Sequence, residues 1–526
     1  MNSIFKYKEN NDEVIITGLQ EGVSDTSIVI PETIDGMPVT AIADEAFKES
    51  SITDIKIGEN IRKIGKQAFY MCNKLSSVTW NCKCNAIPAY GFYECPNLKQ
   101  FDFSDIEKVG KYAFYKSGLQ EVCLPENIEV VSEWAFYGCE KLSSVIWNCK
   151  CDVISACCFA ECSNLTNFDF SNIKKIGRYA FWESGLQEIC LPKSIEILEE
   201  GTFSGCSELQ SVTWNCTCDV IPANCFFECS NLTHFDFSVI TKIEKYSFSR
   251  SGLQEVSFPE NIKIIEEGAF RECSGLRSVT WNCTCDVIPA NCFSECSNLT
   301  NFDFSNIKKI GRYAFWESGL QEICLPKSIE ILEEGTFSGC SELQSVTWNC
   351  TCDVIPNFCF AACSNLTNFD FSSIEKIGKY AFEESGLQEV FLPEKIKIIE
   401  EGAFRECSGL RSVTWDCTCD VIPALCFAVC SNLTQFALSG IKKVGTSAFE
   451  KSGLTSVTLS KGTEVCKKCF AHCKSLAKVE WLSARNIKGD IFMGCEDIKE
   501  ICISDKVKNI EARAFVSSPD AEITFI

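Results

Sequence analysis

Cysteine is the residue with the most chemistry to offer here, and it recurs in a fixed pattern. Cys216, Cys218, Cys225 and Cys229 are followed, at the same spacing, by Cys283, Cys285, Cys292 and Cys296, and again further on. A C-x-C-x6-C-x3-C run can offer four thiolates to a tetrahedral zinc ion. Disulfides between neighbouring cysteines are a second use, and buried reduced thiols a third. The third is favoured, because Cys225 and Cys229 fall in an apolar Ala-Phe-x-x-Cys context that packs inward. Of 526 residues 38 are Cys but only two, His234 and His472, are His. Imidazole-dependent hydrolysis has almost no material to work with. No Walker sequence, dinucleotide-binding glycine fingerprint or H-E-x-x-H is present. No catalytic residue, metal or cofactor is therefore expected.

Carboxylates are the other repeated group. Glu121, Glu188, Glu255, Glu322 and Glu389 recur every 67 residues, as do Asp102, Asp169, Asp236, Asp303 and Asp370. A third row carries hydroxyls at Thr79, Thr213, Thr280 and Thr347. Each sits between apolar neighbours, so on a strand it points outward. Carboxylates on adjacent coils, ~5 Å apart in neighbouring rows, suit a basic partner. With 49 Lys and Arg against 71 Asp and Glu, the formal charge is −22. That balance argues against a nucleic-acid binder, which needs a clustered basic face.

The elements that hold these rows come from self-similarity. Trp80, Trp147, Trp214, Trp281, Trp348 and Trp415 are 67 residues apart, and Trp481 falls one short. Each period divides into three coils of 22 or 23 residues, marked by a small residue before Phe, as at Ala180-Phe181, Thr202-Phe203 and Cys225-Phe226. The mark runs from Ala46-Phe47 to Ala514-Phe515, about 22 coils in all. Glu161 to Pro222 is identical to Glu295 to Pro356, so whole blocks were duplicated.

In the coil LQEVSFPENIKIIEEGAFREC, Val256 and Phe258 alternate as in a strand, and Pro259 ends it. Ile262 and Ile265 form a second apolar pair, and the spacing of Ala269, Phe270 and Cys273 predicts about one turn of helix. One coil alone cannot bury these faces, whereas a stack can, with strands ~4.8 Å apart and necessarily parallel. Twenty-two such coils would extend roughly 105 Å as a single solenoid. The tryptophans stand at inward strand positions and belong to the core. Pairs such as Lys174-Lys175 read as a solvated edge, and the N-x-T triplets at Asn164, Asn215, Asn231, Asn282, Asn298, Asn349, Asn365 and Asn432 as turns next to strands.

The pattern C-x-x-L-x-x-V-x-[LFW]-P-x-x-I-x-x-I-x-x-x-A-F resembles the BspA-like leucine-rich repeats. It is carried by Leu119, Val122 and Leu124 in the strand and by Ala269-Phe270-Arg271-Glu272-Cys273 in the corner. The resemblance implies an α/β fold: a curved leucine-rich-repeat solenoid with a parallel sheet on the concave side and short helices on the convex side. It divides the chain into a β-rich cap at 1–39, the solenoid at 40–520 and a cap strand at 521–526. It also implies a surface or secreted protein that adheres to a protein ligand. An intracellular scaffold of the same fold is the alternative. The first residues show no secretory leader and the last no lipid anchor, and no ~20-residue apolar run predicts a membrane span. Read literally, that places the chain in the cytoplasm; the resemblance points to the cell surface.

Overall fold

The computed structural model describes residues 4–483 and 485–526. The coils fall into two compact units, Met1–Ile264 and Ile265–Ile526.

The first unit opens with an antiparallel hairpin, Phe5–Asn10 with Glu13–Leu19. Asn11 and Asp12 turn it at φ 50° and 60°, the left-handed pair that a two-residue hairpin loop requires. Strand Glu13–Leu19 then lies parallel to Met37–Ile42, which pairs with Lys63–Ile64, so the hairpin covers the first coil. Phe5 caps the aromatic core edge-on to Phe47, at 6.5 Å between ring centroids.

Behind the hairpin two kinds of parallel ladder alternate with a corner. Between a first sheet of three wider strands and a last of four, the wider strands pair in twos, Glu121–Leu124 with Ser144–Trp147 and Glu188–Leu191 with Ser211–Trp214. The second unit repeats this with Glu322–Leu325 on Ser345–Trp348 and Glu389–Leu392 on Ser412–Trp415. Two-residue strands pair in threes, as in Val153–Ile154, Lys175–Ile176 and Ile197–Leu198. Their inward members, Ile154 and Ile176, are fully buried. Parallel pairing is forced, because every coil runs in the same sense.

Coils 67 residues apart leave the wider ladder, at 101–103, 168–170, 235–237, 302–304, 369–371 and 436–438. The segments holding Asp102, Asp169, Asp236, Asp303 and Asp370 were expected to be strands from their Phe-Asp-Phe alternation, yet none of them forms one. In each, the aspartate Oδ1 accepts the N–H of the serine two residues on, at 2.9 Å for Ser171 and 3.0 Å for Ser305. A local side-chain bond of this kind takes the donor that a ladder would use.

The expected convex helices are also corrected: no helix occurs among the described residues. The Ala-Phe corner is a stack of turns. Tyr179 and Glu183 take left-handed φ values of 52° and 51°. In this corner alternate amides point in different directions. Tyr179, Phe181 and Glu183 donate to Glu200, Thr202 and Ser204 of the next coil. Ala180, Trp182 and Ser184 donate back three residues within their own coil. A helix would need all six donors for itself.

The core runs through the corner as a column of phenylalanines. In the first unit Phe159, Phe181, Phe203, Phe226 and Phe248 stack at 5.3–5.9 Å. Phe293, Phe315, Phe337 and Phe360 do the same in the second, at 5.6–5.8 Å. Among the described residues no helix is long and apolar enough to cross a membrane.

Candidate functional site

The outward row of the wider strands begins with the glutamates. Glu121, Glu188 and Glu255 in the first unit, and Glu322 and Glu389 in the second, are each the exposed first residue of a strand. Their strand partners are hydroxyls: Glu188 faces Ser211, and Glu322 faces Ser345. No ion pair to any of the five occurs among the described residues.

The two-residue strands carry charge differently. Lys175 reaches Glu199 at 2.6 Å, Lys309 reaches Glu333 at 2.6 Å and Lys376 reaches Glu400 at 3.0 Å. Lys174 and Lys308 pair with Asp152 and Asp286, both at 2.9 Å. Lys174 and Lys175 keep part of their side chains in solvent, as expected, and at these positions the edge is charge-compensated. The glutamate row is not.

The aspartates do not join the glutamates laterally. Gln187 N–H donates to Thr166 O, which aligns Asn167, not Asp169, with Glu188. Asp169 then stands diagonal to the glutamate, a separation of ~7–8 Å rather than ~5 Å. All five aspartates are exposed, but each has one carboxylate oxygen committed to its serine. The Ser104 hydroxyl and N–H hold the Asp102 carboxyl below its ordinary range, and Ser171 and Ser305 do the same for Asp169 and Asp303.

The same strands also present Cys123, Cys190 and Cys324 outward, with Phe391 at the equivalent place, 57% exposed. Sequence reasoning missed this row, although Val122 and Leu124 pointing inward already places Cys123 outside.

The four-cysteine pattern does not assemble as a zinc site. Among the described residues no three of Cys216, Cys218, Cys225 and Cys229 come close enough to share an ion. Cys225 and Cys229 are fully buried. The Cys229 thiol donates to the carbonyl of Phe203 at 3.2 Å, and Cys206 to that of Phe181 at 3.2 Å. This bond recurs along both units, as in Cys363 to Phe337 and Cys430 to Phe404, both at 3.2 Å. A small buried donor at this corner satisfies a carbonyl left over by the turn. Burial pushes the Cys206 and Cys340 thiols up to about 12, so they stay protonated and inert.

Five of the six periodic tryptophans are buried core residues, as expected, with Trp147 5% exposed and Trp214 8%, and Trp415 is half-buried. Their indole N–H groups have a uniform use. Trp80, Trp147, Trp214, Trp281, Trp348 and Trp415 each donate to the carbonyl four residues on, at 2.8–3.0 Å. That carbonyl always belongs to the second cysteine of a C-x-C pair. The asparagines of three N-x-T triplets, Asn164, Asn298 and Asn432, donate to Glu140, Ser274 and Ser408 of the preceding coil, which is the turn role expected.

No curated protein matches the sequence. Among solved structures, the chain is similar to a leucine-rich repeat protein from Bacteroides ovatus, with 18% identity, 100% of this chain and 99% of that one covered, and a TM-score of 0.37. It is similar to a leucine-rich cell surface protein from Faecalibacterium prausnitzii, with 17% identity, coverage of 100% and 94%, and a TM-score of 0.27. It is also similar to the pneumococcal vaccine antigen PcpA, with 15% identity, coverage of 100% and 98%, and a TM-score of 0.30. The family profile described as "BspA type Leucine rich repeat region" matches in six copies, at residues 40–166, 134–251, 220–344, 286–411, 353–477 and 463–525. With that profile covering nearly all of its coils, the chain belongs to the BspA-type leucine-rich repeat family.

Proposed function

We propose that this chain is a non-enzymatic binding protein whose wider-strand face engages a basic protein partner, in the manner of an adhesin. The observation that carries this reading is the contrast between its two charged edges. Lysines and acids on the two-residue strands neutralise one another, whereas Glu121, Glu188, Glu255, Glu322 and Glu389 stand exposed with no ion pair among the described residues. An uncompensated row attracts opposite charge and steers encounter. Repetition adds avidity, since each 67-residue block offers the same weak contact again.

The test is binding of a lysine- and arginine-rich peptide across a salt series. Changing the five glutamates to Gln is expected to abolish most of the salt dependence. Glu199→Gln and Glu333→Gln, on the compensated edge, are expected to leave it unchanged. Equal effects from the two sets would remove the basis for this face.

A further inference from the structure

The C-x-C pairs differ from the other cysteines in ways the fold does not require. Six pairs recur: Cys82/Cys84, Cys149/Cys151 and Cys216/Cys218 in the first unit, and Cys283/Cys285, Cys350/Cys352 and Cys417/Cys419 in the second. Each sits in the bend that follows a core tryptophan, held by the indole bond to the second cysteine's carbonyl.

The same indole bond forms without thiols. Trp481 donates to the carbonyl of Arg485 at 3.1 Å, in a coil where Ser483 and Arg485 replace the two cysteines. The pair is thus not needed for that bond.

The two thiols of each pair lie near enough to shift one another's ionisation in opposite directions. Residues i and i+2 span at most ~7 Å, and a bend shortens that into the range a disulfide bridges. Unlike the fully buried corner cysteines, Cys151, Cys218, Cys352, Cys417 and Cys419 keep part of their surface open. Cys218 lines a cavity of about 440 Å³ together with Arg178, Leu198, Thr217 and Pro222.

We propose that these six pairs are thiol–disulfide exchange sites, which a low-molecular-weight disulfide converts to Cys-x-Cys disulfides. One thiolate of the pair attacks a sulfur of R–S–S–R. A protein–S–S–R bond forms, the S–S bond of the reagent breaks, and R–S⁻ leaves and takes a proton. The second cysteine gives its proton to water and attacks the protein sulfur of the mixed disulfide. A second R–S⁻ leaves and is protonated. Two protein thiols are oxidised, and one disulfide is reduced to two thiols. One thiol of each pair is held below its ordinary value by its neighbour, which supplies the attacking thiolate.

The experiment treats the native full chain with oxidised glutathione, alkylates remaining thiols in denaturant and maps the peptides by mass. The Trp-Asn-Cys-x-Cys peptides and Trp415-Asp416-Cys417-Thr418-Cys419 are expected to lose two hydrogens and escape alkylation. Their rate should exceed that of the Ala-Phe-x-x-Cys thiols by at least about tenfold, since exchange follows thiolate character and access. Cys216/Cys218 and Cys417/Cys419 should react before the more buried Cys82/Cys84. In Cys216→Ser the glutathione adduct should persist on Cys218, because the closing thiol is gone. Full alkylation of the C-x-C peptides while Cys123 and Cys190 carry glutathione would overturn the proposal. So would an adduct on wild-type Cys218 that never closes.

Discussion

The indole N–H of Trp214 donates to the carbonyl of Cys218 at 2.8 Å, tying a core ring to the bend that leaves its strand. The bond links the end of one ladder to the start of the other, because Val220–Ile221 opens the two-residue strand just beyond. Replacing Trp214 by Phe keeps most of the apolar volume but strands a carbonyl. A cost of about 1–3 kcal/mol in chemical denaturation is expected. Trp481→Phe, which strands the Arg485 carbonyl, should cost a similar amount. A cost confined to Trp214 would mean that the cysteines, and not the bond, hold the bend.

The phenylalanine column should fail locally. Phe226 stacks on Phe203 at 5.9 Å and on Phe248 at 5.3 Å and is fully buried. Phe226→Ala opens a cavity worth about 3–5 kcal/mol. Coils touch only their neighbours, so hydrogen-exchange protection should fall in the adjacent coils and hold further away. Uniform loss along the chain would contradict a one-dimensional stack.

Much of this was legible from residue spacing. The 67-residue period, the inward Trp and Phe positions, the parallel ladders and the outward glutamates all follow from alternation and repetition. The helices do not, and the reason is specific. Ala180, Phe181 and Ser184 have the spacing of one helical turn, but left-handed φ values fall on Tyr179 and Glu183, residue types that do not announce them. The bonds that forbid a helix run to another coil, which no local window contains. Asp169 misled for the opposite reason. Its alternation with Phe168 and Phe170 reads as a strand, while the overriding signal, Ser171 two residues on, is a short side-chain turn.

Asp169 also predicts a pH response. Its carboxyl lies below the ordinary value because Ser171 donates to it through hydroxyl and N–H. A depressed carboxyl stabilises the fold fully above the unfolded value of ~3.9, and the contribution disappears as pH falls through the lower folded value. Asp169→Asn keeps an acceptor but removes the charge. It should lower the urea midpoint at pH 6 and converge with wild type as the pH drops below about 3, with Asp102→Asn and Asp303→Asn behaving alike. A constant gap between variant and wild type at both pH values would exclude the charge as the cause.

The corner contains a second coupling that links successive coils. Gly201 holds φ +64°, and a Cβ there would lie 2.1 Å from Cε1 of Tyr179 in the preceding coil. Gly335 and Tyr313 repeat the contact in the second unit, at 2.0 Å. Left-handed φ alone does not demand glycine, since Tyr179 itself adopts it at 52°. The tyrosine ring is what excludes a side chain. Gly201→Ala should therefore cost more than the ~1 kcal/mol of a left-handed alanine. In a Tyr179→Ala background the clash is gone, and the same substitution should cost only that backbone part. The cycle should show a coupling of about 0.5–3 kcal/mol. Strict additivity would mean that the ring swings aside, and that glycine stands at this corner for its backbone alone.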